Sequence, residues 1–217
     1  LLTCVDHLKA RLEQSYLEAY VKQAYSEVPD IYGLSVPRPW QHPKDVLLKN
    51  LYSSVGVLGY IGPFFCETQL NPDLLPDQYP FIYAHEYSHL MGVSNEAEAN
   101  YWAYQICIAS DYPSVKYSGY YSLLPYVLSN ASRTLTADEY RKLLSDIHPD
   151  ILSQYSLERN YWNSLYSPLL GKIQSAIYNA FLKGNKIPSG TANYLEVIDM
   201  IISVPSAIQS PLPIAQD

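Results

Sequence analysis

Long apolar runs, basic clusters, cysteine and methionine are what this 217-residue chain is short of. No stretch approaches the ~20 apolar residues needed to span a bilayer, which leaves no membrane-crossing helix to be read within it. Fourteen Lys and Arg stand against 21 Asp and Glu, for a formal charge of −7. The basic residues form no cluster, so nucleic-acid binding is excluded as a reading. Three cysteines (Cys4, Cys66, Cys107) imply no disulfide framework, and Cys107 reads as core. The chain opens Leu1-Leu2-Thr3-Cys4 without a Met, which reads as a piece of something longer. Tyrosine, by contrast, is abundant at 22 residues. Its apolar ring and polar tip suit peptide- or glycan-holding grooves, or simply half-buried helix surface.

The length suits one core, and the expected organisation is a single domain over 1–204 followed by a Pro-rich, extended tail at 205–217. The pattern is mainly α with a small β part, hence α+β. Helical spacing covers Leu8–Tyr25, and a Pro-rich surface loop follows over Pro29–Pro43. A short helix is expected over Pro43–Tyr52, with Pro near its first position. Val55–Leu70 is the one β region, broken at Gly62-Pro63. Further helices are expected over Pro76–Met91, Asn95–Ser110 and Tyr117–Leu128, then from Thr136 (a capping box with Glu139) to Asp146. The last two run over Pro149–Leu182, with a break near Pro168, and Ala192–Ser203.

The chemistry is concentrated in His85-Glu86-Tyr87-Ser88-His89. Residues four apart share a helix face, so His85 and His89 can address one metal ion. Glu86 sits about 100° round the same turn, placed to touch a metal-bound water without ligating the metal. The competing reading is a buried helix carrying two satisfied histidines. Gly92 then stops the helix and allows the chain to turn back. A second helix beginning near Asn95 would supply a third ligand, and two His plus one Glu leave the open position a catalytic zinc needs. Glu96 and Glu98 both qualify in type. Asn95 with Glu98 resembles a capping box, which leaves Glu96 for the metal and Asn100, on the same face, to brace it.

These residues resemble the gluzincin class of metallopeptidases. Within it, the block from Gly59 to Asn130 resembles domain-of-unknown-function family 3810, bacterial membrane-anchored metallopeptidases by the same motif. The resemblance rests on Gly62-Pro63-Phe64 with Glu67 and Asn71, on His85-Glu86-x-x-His89-x-x-Gly92, on Glu96-x-Glu98-Ala99-Asn100, and on Tyr117-Ser118-Gly119-Tyr120. Asn179–Met200 is similar more loosely. The resemblance implies a zinc peptidase domain behind N-terminal membrane helices, attached through a segment absent from this chain. It also makes Tyr117 and Tyr120 candidates for donating to the oxyanion, with Tyr117 the chosen one. Tyr87 and Ser88 depart from the smaller or apolar residues usual inside the motif.

The expected activity is peptide hydrolysis with Glu86 as general base, on a peptide or protein laid along the edge of Gly59–Thr68. Tyr60 and Glu67 are the candidate substrate contacts there. Pro63, which cannot donate to a ladder, favours an edge position. The alternative is a non-cleaving zinc- or peptide-binding regulatory domain. His148, before Pro149, reads as a surface or cap residue.

Overall fold

A computed structural model describes residues 2–46, 48–62, 67–172 and 196–204, with side chains from residue 14 onward. It is mainly helical with one small three-stranded sheet. The order is α1 (Leu2–Ser26), β1 (Lys44–Asp45), α2 (Lys49–Ser54), β2 (Gly59–Gly62), β3 (Glu67–Leu70), α3 (Tyr79–Leu90), α4 (Glu96–Ile108), α5 (Pro113–Thr134), α6 (Ala137–Asp146), α7 (Pro149–Leu165) and α8 (Glu196–Ser203). No helix among the described residues is long and apolar enough to cross a membrane.

The centre is the α3–α4 pair. Both helices are apolar on most sides, as a helix buried all round must be. Phe81, Tyr83, Ala84 and Tyr87 of α3 pack with Ala99, Trp102, Ala103 and Ile106 of α4, all no more than 2% exposed. The small side chains of Ala99 and Ala103 let the two backbones approach. α5 closes the third side: a Cβ at Gly119 would stand 2.7 Å from that of Cys107, so only Gly permits this approach. Much of the tyrosine content is core here. Tyr20 on α1 donates to the Ile106 carbonyl at 2.6 Å, and Tyr25 to that of Ala84 at 2.7 Å. Each ring buries apolar area while its hydroxyl finds a backbone acceptor. Cys107 is free and buried, as expected of a core residue.

The sheet has the order β1-β3-β2, with β2 antiparallel and β1 parallel to β3. Two expectations are corrected here. The helix expected to begin at Pro43 does not, because Lys44 and Asp45 pair with Gln69 and Leu70, and the Val46 amide donates to the Leu70 carbonyl at 3.1 Å. The helix begins only at Lys49. The helix expected over Tyr117–Leu128 starts at Pro113, a favoured first position, and runs through Pro125 to Thr134. The chain breaks at Tyr166–Ser167 and is helical again over 168–172, since the residue before a proline disfavours helix. The Pro63 edge placement, residues 173–182 and 192–195, Cys66 and the 205–217 tail lie outside the described residues.

Candidate metal centre

The turn between α3 and α4 builds the site. Gly92 adopts φ 103°, a region closed to most side chains. There the Gly92 amide donates to the His89 carbonyl and the Val93 amide to the Ser88 carbonyl, both at 3.1 Å. This pair is a Schellman ending, which satisfies carbonyls the helix would otherwise leave open. The same turn aims a ligand, since the His89 Nδ1–H donates to the Val93 carbonyl at 2.7 Å. With the proton on Nδ1, the lone pair of Nε2 faces into the site. Asn95 then caps α4, its side chain accepting from the Glu98 amide at 3.0 Å, half of the capping box the sequence suggests.

Three donors converge. Glu96 Oε2 lies 3.2 Å from His85 Nε2 and 3.8 Å from His89 Nε2. One ligand atom from each of His85, His89 and Glu96 lies within 4.8 Å of the others, so the group can hold a metal ion. Two imidazoles and a carboxylate are a ligand set that fits a borderline divalent cation with a fourth position left open. Glu98 is not in the group. Glu86 is not either, yet it is 6% exposed and lies under β2. A Cβ at Gly59 would stand 2.7 Å from the Glu86 carboxyl carbon, so the edge strand passes directly over that carboxylate. Burial pushes Glu86 up to about 7, with the Glu96 charge adding to the rise and His85 opposing it.

The two histidines differ. Burial disfavours the charged ring of His85, but the Glu96 hydrogen bond, the Glu86 and Glu96 charges and Asn100 together lift it above its ordinary value. Burial and the His85 charge lower His89, outweighing its bond to Val93 and the charge of Glu96.

Residues 3–202 match the family model described as Protein of unknown function (DUF3810). The chain belongs to this family. No curated protein and no solved structure matches it.

The other residues singled out in the sequence are dispersed. Asn100, 2% exposed, stands beside the His85 ring and donates through Nδ2 to the Tyr126 hydroxyl at 3.3 Å. Tyr117 is not brought to the ligands: it stacks on Tyr121 and donates to Gln154 Oε1 at 2.7 Å. Tyr120 is 56% exposed against Tyr104. Glu67 lies on the central strand β3 and pairs with Lys44 at 2.7 Å, both largely in solvent. Tyr60 is on β2, close to Tyr52. Asn71 is buried and holds Ser53 and the Val57 carbonyl, a brace for the sheet. Tyr87 and Ser88 are fully buried. His148 caps α7, its Nδ1 accepting from the Asp150 amide. Tyr126 is the residue that sequence reasoning missed. Its only local signal is Pro125, which removes one backbone bond from α5 just before it.

Proposed function

We propose that this chain is a zinc-dependent metallopeptidase of gluzincin type. The observation that carries the reading is the position of Glu86, buried beside the ligand group but outside it, with an edge strand across its carboxylate. A purely structural metal site has no use for such a group. His85, His89 and Glu96 would hold the zinc. When bound, it supplies Lewis acidity toward a water and toward the scissile carbonyl.

The remaining work falls to the chain. β2 is an edge strand of the sheet, and its outer side offers backbone groups for an extended peptide. Gly59 at its start keeps that backbone close to Glu86. Glu86, titrating near neutral pH, takes a proton from the attacking water and returns it to the leaving nitrogen. The water oxygen bonds to the carbonyl carbon, the C–N bond breaks, and the proton ends on the amine. The substrate is thus a peptide or protein segment able to lie extended. Anchoring to a membrane belongs to the same proposal and would be provided outside the residues described.

The test compares Glu86→Gln with the parent protein on a peptide library. The variant keeps zinc and loses hydrolysis, since Gln fills the space but takes no proton. A parent protein that binds zinc and cleaves nothing favours the non-cleaving regulatory reading. Loss of zinc in Glu86→Gln would make Glu86 a ligand and sink the assignment.

A further inference from the structure

The small sheet turns its two faces to different surroundings. Thr68 and Leu70 of β3 are buried, and their partners on β2 are Ile61 and Gly59. A Cβ at Gly59 would point at the Glu86 carboxylate, so this is the face that covers α3. Side chains alternate along a strand, which puts Tyr60 on the opposite, outer face.

The backbone groups alternate as well. The Asn71 amide donates to the Leu58 carbonyl at 2.9 Å, so Leu58 and Asn71 are a hydrogen-bonded pair. Two residues on, Tyr60 turns its own amide and carbonyl inward to Gln69. Gly59 and Ile61 therefore turn theirs to the open edge of β2, where an added strand would bond. An antiparallel peptide bonded there presents the residue beside Gly59 to Glu86. Its next residue lies beside Tyr60 on the outer face, in the type of pair where side chains approach more closely.

The surroundings of that position are aromatic and apolar. The exposed Tyr60 ring stands 6.2 Å from that of Tyr52 on α2. Leu48 and Leu51, both exposed, share with Tyr52 the i, i+3, i+4 spacing of one helix face. The side of α2 that carries Tyr52 is thus apolar and open to solvent.

We infer that Tyr60, backed by Tyr52, is a specificity-determining residue. It selects an aromatic side chain at the substrate position next to the one that faces Glu86. An aromatic pair across two strands gains offset or edge-to-face contact that a small or charged residue forgoes. The inference rests on the peptidase reading above and names its substrate class. That class is extended segments with Phe, Tyr or Trp at one position beside the cut.

The test is a positional scan of cleaved peptides, on the full chain and its variants, followed by kcat/KM on matched peptides. With the parent, one position beside the cut favours Phe over Ala by about tenfold. Tyr60→Phe keeps that ratio, whereas Tyr60→Thr, which also suits a strand, brings it below about twofold. Tyr60→Lys turns the choice at the same position toward Glu, an opposite-charge pair across the strands. A purely structural role for Tyr60 would lower kcat/KM for Phe and Ala peptides alike, and an unchanged ratio overturns the inference. So does a parent that cleaves without aromatic preference beside the cut, or a Tyr60→Lys protein that still selects Phe. A parent that binds zinc and cleaves no peptide overturns the peptidase reading and this inference with it. That result is distinguishable from a cleaving enzyme with another preference.

Discussion

Two polar clusters sit at opposite ends of α3, and they are built on opposite rules. At the C-terminal end, one ligand atom each from His85, His89 and Glu96 converges within 4.8 Å of the others, with Nδ1 of His89 committed to Val93. At the N-terminal end, donors and acceptors alternate. Trp162 and the Leu75 amide donate to Gln78 Oε1, and Gln78 donates to Glu158 Oε1 at 2.7 Å. Tyr117 donates to Gln154, which donates to Asp77. The second cluster ties α5 and α7 to the start of α3 through these paired donors and acceptors. The first gathers three atoms of types that can ligate a cation, and that is the physical difference between a brace and a candidate site. Tyr117, a candidate from the sequence, is engaged in the second cluster.

The largest effect that would test this contrast is on metal. Glu96→Ala should weaken zinc binding by at least about 100-fold, beyond what residues behind a ligand are worth. Glu98→Ala should leave affinity intact and cost only a few tenths of a kcal/mol for a first-turn acid. Calorimetric titration of both separates them, and the reverse ranking would overturn the ligand assignment.

Next in size is the contact between strand and base. Gly59→Ala drives a methyl group into the Glu86 carboxyl. The expected outcome is a fall in kcat/KM on the order of 100-fold, the scale of an ångström's misplacement, with zinc affinity preserved. Equal loss of zinc and turnover would place the strand's effect on the ligands instead.

A smaller loss is expected at the brace. Gln154→Ala leaves Asp77 and Tyr117 without their shared partner and should cost about 1–3 kcal/mol of stability. A thermal melt measures that cost. Zinc affinity should not change, since none of these groups faces the ligands. A joint loss would show that the two ends of α3 are coupled.

The mildest expectation concerns pH in the metal-free protein. Glu86 ordinarily titrates near 4.5 and is held at about 7 in the fold. The folded state therefore keeps its proton where the unfolded chain has released it, and stability falls as pH rises from about 4.5 to about 7. Burial also raises Glu158, with the same sign. Glu86→Gln should flatten the slope, and denaturant midpoints across that window decide it.

What was legible in the sequence follows from how far apart the partners are. His85, His89, Gly92, Asn95 and Glu96 act on near neighbours, so helical spacing and cap chemistry suffice to place them. Thr136 with Glu139 forms the capping box for the same reason. Tyr126 meets Asn100 across 26 residues and Tyr117 meets Gln154 across 37, and no local period encodes either. Lys44 and Asp45 carry no strand signal at all. They become β1 only because β3 offers a free side, a tertiary override of propensity. A β region over Val55–Leu70 is legible in the sequence, but the pressure of Gly59 on Glu86 is visible only in three dimensions.

The turn at Gly92 has a consequence for how the molecule assembles. All three candidate ligands fall between residues 85 and 96, on one helical hairpin, so little chain entropy is spent in bringing them together. Such short-range closure belongs to the fast events of folding, ahead of the distant pairing of β1 with β3. The three side chains are therefore gathered on their own hairpin before α5 docks against it.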